Sequence, residues 1–126
     1  MQHLICFDMD RVLVDHLSTW QYVYDKLGVS NKEAFDLYNQ GKLDEWDWLK
    51  MDLALVKGAH SDITDEKMRQ LCVGTPLMDG IKECLDWIIS NGHEVAIISG
   101  GMQETARDIA CMYPSGSPWR LSLIHI

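Results

Sequence analysis

The segment LICFDMDRVLVD, residues 4–15, most constrains the fold of this 126-residue chain. It opens with a short apolar run of the kind that forms a buried strand, and the run stops at Asp8. A second acid, Asp10, follows, and apolar residues then resume. Side chains two apart on an extended strand lie on the same face, and these two acids follow the end of the strand, where the backbone turns. Both carboxylates can therefore reach one site there.

The rest of the chain contains one further predicted strand and six predicted helices. Residues 93–98, HEVAII, favour a strand after an Asn91-Gly92 turn. We expect no further strand after residue 112. The helices are predicted over 16–27, from Ser30 to Gln40 with Ser30 and Glu33 as a capping box, over 44–57 with a stop at Gly58, over 64–72, over 80–90 and over 101–112.

This order of elements predicts an α/β fold with a parallel sheet and an inserted helical cap. The helical stretch after the first strand, about 60 residues, is too long for a plain crossover. We expect core segments at 1–14 and 75–112 and a cap at 15–74. In such sheets ligands bind at the carboxyl ends of the strands. Asp8, Asp10 and Ser99 all fall at those ends.

Residues 113–126, YPSGSPWRLSLIHI, differ from the preceding chain. They contain Pro, Ser and Gly and have no amphipathic period. The segment resembles the translated read-through of a sequencing adapter, which predicts a non-native tail on a truncated chain.

The composition limits the classes of partner that this chain can bind. The net charge of −8 argues against nucleic acid and anionic lipid, since both require a basic face. No apolar run approaches the roughly 20 residues that span a bilayer, so no membrane partner is expected. No secretion signal is evident, and cytoplasm is the expected location. The cysteines form no CxxC pair and are expected to be buried thiols: Cys6, Cys72, Cys84 and Cys111.

The segment ISGG, residues 98–101, complements the two acids chemically. A carboxylate is a known nucleophile toward phosphorus, and a second acid can move a proton. The Ser99 hydroxyl and the backbone N–H groups of Gly100 and Gly101 can hold phosphate oxygens at the start of a helix. A hard cation such as Mg²⁺, which prefers oxygen ligands, would reduce the repulsion between carboxylate and phosphate.

FDMDRVLVD resembles motif I of the haloacid dehalogenase (HAD) superfamily, and EVAIISGG resembles its motif II in the phosphoserine phosphatase branch. The resemblance implies an incomplete Rossmann-like core, a helical cap, and a Mg²⁺-dependent hydrolase of a small phosphorylated metabolite. It implies Asp8 as nucleophile and Asp10 as general acid/base. It also implies Mg²⁺ on the Asp8 carboxylate and the Asp10 carbonyl, with Ser99 and Gly100 on the phosphate.

The sequence departs from that family at several positions. Arg11 stands where a small residue is common, and it either reaches the phosphate or lies at the cap hinge. Leu17 and Asp52 stand about where the phosphoserine enzymes carry a cap Glu and a cap Arg. The family's lysine motif and acidic metal motif lie beyond motif II, so this chain by itself is expected to be inactive.

Several alternatives stay open at this point. The same aspartyl-phosphate chemistry serves phosphotransferases and mutases, and a non-catalytic phosphate- or partner-binding remnant is a third interpretation. Asp15 and His16 are expected at the cap hinge or the surface. Trp46 and Trp48 are two apart on a helix, so one is expected in the core and the other is a candidate for lining a cleft.

Overall fold

The computed structural model describes residues 1–113 and the backbone of 119–123. The predicted tail over 113–126 therefore falls partly outside the described residues, at 114–118 and 124–126. The described part contains three strands and six helices, in this order: β1 Leu4–Phe7, α1 Thr19–Leu27, α2 Lys32–Asn39, α3 Glu45–Ala59, α4 Asp65–Cys72, α5 Ile81–Ser90, β2 Glu94–Ser99, α6 Gln103–Cys111 and β3 Trp119–Leu123.

The strands form one parallel sheet in the order β1-β2-β3. In β1 and β2, Leu4 lies opposite Glu94 and Phe7 lies opposite Ile97. Since both strands run the same way, their carboxyl ends meet at one edge of the sheet. The predicted α/β class with a parallel sheet is confirmed.

The expectation that no strand follows residue 112 is wrong. β3 pairs in parallel with β2, with Val95 opposite Trp119 and Ser99 opposite Leu123. The segment WRLSL alternates apolar and polar residues, which is the period of a strand, and the flanking Pro, Ser and Gly residues obscured that signal. The non-native origin of the tail stays a prediction.

The main core lies on one face of the sheet, beneath α5 and α6. Leu85 and Ile88 of α5 pack with Val95 and Ile97 of β2, and Ile109 of α6 joins them. The alternation of a strand sends neighbouring side chains to the other face, where Leu4 and Ile98 are exposed.

The prediction of four buried thiols is confirmed only at Cys72. All four cysteines are free, but Cys6, Cys84 and Cys111 are exposed. Cys6 lies on the uncovered face of the sheet because it alternates with the half-buried Ile5 and Phe7.

Two antiparallel backbone segments connect the helices α1 to α4 to the core. Asp15 N donates to Pro76 O at 2.9 Å, and Met78 N donates to Leu13 O at 2.9 Å. Asp15 therefore lies where the chain passes from core to cap, and nearby His16 bonds Ser18 O at 3.1 Å. Division into core and cap near residues 14 and 75 stays a prediction that these contacts favour.

Three of the six helices in the described residues start at a residue whose side chain caps them. Ser18, Asp44 and Thr64 each accept a backbone N–H from the first turn of the helix that follows. Thr19 therefore begins α1, three residues later than predicted.

Two helix-boundary predictions are wrong. The N-cap of α2 is Asn31 without a side-chain cap bond, so Ser30 and Glu33 form no capping box. The helix α3 continues through Gly58 to Ala59. Glycine lowers helix stability by only about 1 kcal/mol, which neighbouring turns can offset. Among the described residues, no helix is both long and apolar enough to cross a bilayer.

Candidate active site

Two loops meet at the edge of the sheet where β1 and β2 end. Asp8 follows Phe7 directly, and Ser99 is the last residue of β2. The register places Phe7 beside Ile97, so the acids after β1 and the glycines after β2 leave the sheet side by side. This is the juxtaposition that the sequence pattern predicts for the two motifs.

Asp10 is held between the first cap helix and the glycine loop. Thr19 N donates to Asp10 Oδ1 at 2.8 Å. On the other side, a Cβ built on Gly101 would lie 3.0 Å from Asp10 Oδ2. Burial raises the pKa of Asp10 above its ordinary value, the hydrogen bonds from Thr19 oppose the rise, and the Asp8 carboxylate adds to it. The role of Asp10 as a proton-transfer group stays a prediction that this environment favours.

Thr19 joins three segments that are distant in sequence. Besides its amide bond to Asp10, its Oγ1 accepts the Met102 N–H at 2.8 Å, immediately before α6. The residue is fully buried, with 1% of its surface exposed. Sequence reasoning missed it because a threonine at the start of a helix carries no signal of a contact 83 positions away.

Gly101 is required by close approach. An added Cβ would lie 2.6 Å from Thr19 Oγ1 and would also meet the end of the Met9 side chain. Ser99 lies beneath this loop and is buried, and its Oγ accepts the Gly101 N–H at 3.1 Å. The expectation that both glycine amides are free is therefore wrong for Gly101, because the preceding serine satisfies it. The Gly100 amide remains the candidate donor for an anion.

Asp8 is exposed directly after β1 and is not among the residues that line the cleft described below. Its Oδ1 accepts the Met9 N–H at 2.6 Å, which fixes the carboxylate against the backbone turn. The described residues hold no cluster of three or more His, Cys, Asp or Glu side chains that could bind a metal. The placement of Mg²⁺ on the Asp8 carboxylate and the Asp10 carbonyl stays a prediction, and oxygen ligands of this kind are those that Mg²⁺ prefers.

Arg11 adopts a left-handed backbone conformation, with φ of 62°. For a residue with a Cβ this conformation costs roughly 1–2 kcal/mol. Its exposed side chain lines the cleft beside Gly100. Glycine adopts this conformation without a steric cost, so it is easier to accommodate at this position than a residue with a Cβ.

A cleft of about 980 Å³ runs from Arg11 and Gly100 toward the cap helices. Leu17 and Asp52, the two departures from the family pattern, both line it. Trp46 and Trp48 line it as well, which corrects the prediction that one of them is a core residue. Trp46 is 72% exposed, and Trp48 is half-buried.

Asp52 is a buried carboxylate in the wall of this cleft, with 7% of its surface exposed. Asn31 Nδ2 donates to its Oδ1, and the Tyr24 hydroxyl and the Trp48 indole N–H lie beside it. Burial raises the pKa of Asp52, and these neutral donors oppose the rise. Burial and this carboxylate likewise raise the pKa of the Tyr24 phenol.

Comparison with known proteins identifies the fold. No protein-family model and no curated protein sequence matches the chain. Among solved structures, it resembles a HAD family hydrolase from Salmonella enterica serovar Typhi, with a TM-score of 0.71 and 22% identity over 98% of this chain and 41% of that one. It also resembles a phospho-aspartyl intermediate analogue of phosphoserine phosphatase, with a TM-score of 0.69 and 24% identity over 97% of this chain and 56% of that one.

A phosphoserine phosphohydrolase-like protein from Francisella tularensis gives a TM-score of 0.62 and 23% identity, over 98% of this chain and 58% of that one. The chain thus spans about half the length of the solved structures that it matches. At this level of identity the likeness concerns the path of the backbone. The chain has the α/β fold of the HAD family hydrolases.

Proposed function

We propose that this chain carries the nucleophile-bearing part of a phosphomonoester hydrolase that acts through an aspartyl-phosphate. The observation that supports this most is the meeting of Asp10 with the Ser99–Gly101 loop across Gly101. The two acids after β1 thus lie at the edge of the sheet where a loop of small residues precedes α6. The fold shared with a phosphoserine phosphatase captured as a phospho-aspartyl analogue is consistent with it.

In this proposal, Asp8 attacks the phosphorus atom and the bond to the leaving alcohol breaks. Asp10, whose pKa is raised by burial, donates its proton to the departing alkoxide. The resulting Asp10 carboxylate then takes a proton from water as that water attacks the phosphorus and releases Asp8. The exposure of Asp8 and the anchoring of Asp10 by Thr19 suit these different roles.

The phosphate would be held by Ser99, the Gly100 N–H and Arg11. Ser99 Oγ already accepts from Gly101, so its hydroxyl hydrogen is the group left to donate. Arg11 brings a permanent positive charge to the cleft beside Gly100. Together they would offset the repulsion that a phosphate meets from two acids.

Mg²⁺ is the proposed cofactor, and the Asp8 carboxylate and the Asp10 backbone carbonyl would hold it. When bound, it supplies positive charge that lowers the repulsion between carboxylate and phosphate. The cytoplasm stays the proposed location, and a small phosphorylated metabolite stays the proposed substrate.

The test measures hydrolysis of p-nitrophenyl phosphate with Mg²⁺ by the complete natural gene product that contains this sequence. We expect turnover that Asp8→Asn abolishes and that Asp10→Asn lowers by about 10²–10⁴-fold, the usual contribution of a proton-transfer group. Asp86→Asn, on α5 outside the cleft, is the matched control and should leave turnover unchanged.

The outcomes separate the alternatives. Phosphate release that is independent of an added alcohol supports a hydrolase, whereas transfer to that alcohol alone supports a phosphotransferase. The proposal would be overturned if the complete protein does not hydrolyse p-nitrophenyl phosphate and Asp8→Asn binds phosphate as tightly as wild type does. The 126-residue chain assayed alone is expected to be inactive.

A further inference from the structure

The cap end of the cleft combines aromatic side chains with uncompensated negative charge. Two acids there have partners without positive charge: Asp52 and Glu45, which accepts the Tyr38 hydroxyl at 3.3 Å. The third, Asp36, pairs with Lys32 at 2.7 Å. The remaining base that lines the cleft, Arg11, belongs to the loop after β1 and not to the cap helices. The part of the cleft that the cap helices line is therefore net negative.

Asp52 has no cationic partner among the ion pairs of the described residues. A buried carboxylate that is left without an opposite charge is costly, even when a neutral donor bonds one of its oxygens. A cation in the cleft would remove that cost. Asn31 donates to one oxygen of this carboxylate, and the lining around it is rich in aromatic rings, so a cation that binds through ring faces fits this end of the cleft better than a primary ammonium, which requires several acceptors.

Six aromatic side chains line the same cleft and offer the faces to which such a cation binds. Trp48 packs against Tyr38, with ring centroids 4.5 Å apart, and against Phe35 at 6.2 Å. Phe35 is 53% exposed and Trp46 is 72% exposed. Exposed aromatic groups beside a cavity mark a ligand site more often than chance. The six are Trp20, Tyr24, Phe35, Tyr38, Trp46 and Trp48.

We propose that the cap end of this cleft binds a quaternary ammonium group, so that the substrate is the phosphomonoester of a methylated amino alcohol. The phosphate would lie toward Asp8 and Gly100, and the cation would lie among the aromatic side chains near Asp52. This substrate class rests on the proposed hydrolase function. Phosphoserine carries a carboxylate next to its ammonium group, and the negative charge at this end of the cleft disfavours that carboxylate.

Binding is tested on the 126-residue chain itself, so that it does not depend on turnover. Isothermal titration with tetramethylammonium and with the neutral 3,3-dimethylbutan-1-ol compares a cation with an apolar molecule of similar shape. We expect the cation to bind at least about tenfold more tightly, as a desolvated cation–aromatic contact implies. Equal binding of the two probes, or no binding of the cation, overturns the proposal.

Two pairs of variants locate the site. Asp52→Asn should weaken tetramethylammonium binding by about tenfold or more, whereas Asp47→Asn, exposed on the same helix and outside the cleft, should not.

Trp46→Leu should weaken tetramethylammonium binding several-fold, whereas Trp87→Leu, 64% exposed on α5, should not. Because Trp46 is exposed, its variant keeps the test decisive if Asp52→Asn fails to fold. Equal effects within both pairs overturn the proposal.

The complete gene product separates this proposal from the proposed function. Choline phosphate should exceed phosphoserine in kcat/KM by at least about tenfold, and Asp52→Asn should narrow this ratio of kcat/KM values whereas Asp47→Asn should not. Hydrolysis of p-nitrophenyl phosphate without this preference overturns the substrate class and leaves the hydrolase function standing. Cation binding without hydrolysis of any phosphomonoester overturns the hydrolase function and with it the substrate, while the cation site remains supported.

Discussion

At the scale of single residues, Asp10 shows how burial and hydrogen bonding set a side chain's chemistry. Its carboxylate is partly buried next to Asp8, and both effects disfavour the charged form. Thr19 limits the rise in the pKa of Asp10 by donating its amide N–H to Asp10 Oδ1. The same local environment that suits proton transfer therefore lowers the stability of the folded chain at neutral pH.

We predict that Asp10→Asn is stabilising relative to wild type at about pH 8 and less so at about pH 4. Because the folded-state pKa of Asp10 is raised, the folded protein binds more protons than the unfolded chain above the ordinary carboxylate pKa. Wild-type stability then falls as pH rises through the raised pKa, and asparagine lacks this titration. Urea denaturation at a series of pH values measures the difference.

Asp86 provides the control of opposite sign. Its pKa is lowered, chiefly by a hydrogen bond from Lys82, so its contribution is present above the ordinary carboxylate pKa and is lost as pH falls. Asp86→Asn should therefore be slightly destabilising at neutral pH, a small effect because the pair is exposed. A stability difference for Asp10→Asn that does not change with pH would contradict the account.

At the scale of elements, one helix start organises the site. Ser18 caps α1, and the next residue, Thr19, bonds both the acid after β1 and the backbone before α6. A capping serine thus fixes where the helix begins, and the helix start in turn fixes where the threonine hydroxyl points. Cap and core are joined at this edge of the sheet through the Thr19 side chain, the Trp20 indole N–H that donates to Gly100 O at 3.4 Å, and the apolar contact of Val23 with Met102.

We predict that Thr19→Val destabilises the chain by about 1–3 kcal/mol. Valine keeps the shape of threonine but leaves the buried Met102 N–H without its acceptor at 2.8 Å. Thr105→Val is the matched control, because the buried Thr105 hydroxyl lies near the Cys72 thiol without hydrogen-bond geometry. Chemical denaturation should find that control neutral or more stable. Equal losses for both variants would show that the Thr19 hydroxyl is not a structural acceptor.

At the scale of the whole molecule, the sheet is narrow and is covered on one face. Helices α5 and α6 pack on the same side, and Leu4 and Ile98 are exposed on the other. β3 extends the sheet beyond β2 and covers an edge of backbone groups that would otherwise be open. The strand lies within the segment whose sequence predicts a non-native tail.

Deleting residues 119–126 should lower the free energy of unfolding by at least about 2 kcal/mol, since the ladder between β2 and β3 is lost. The freed edge of β2 should also promote self-association, which size-exclusion chromatography at several concentrations detects. Deleting 124–126 alone leaves β3 intact and is the control. Unchanged stability after the longer deletion would favour the interpretation that the tail has no structural role.

The sequence by itself determined the local features of this protein. Hydrophobic period and capping residues placed the six helices and the first two strands, because these depend on neighbours within a few positions. The two acids after β1 and the serine and glycines after β2 were recognisable for the same reason. Motif spacing also led to the fold class, which the structural comparisons confirm.

Only the tertiary structure decided which of these features act together. The contacts of Thr19 with Asp10 and Met102, and the burial of Asp52 among Asn31, Tyr24 and Trp48, join segments that no sequence period connects. A buried charge acquires its energy from everything packed around it, and that environment exists only once the chain has folded.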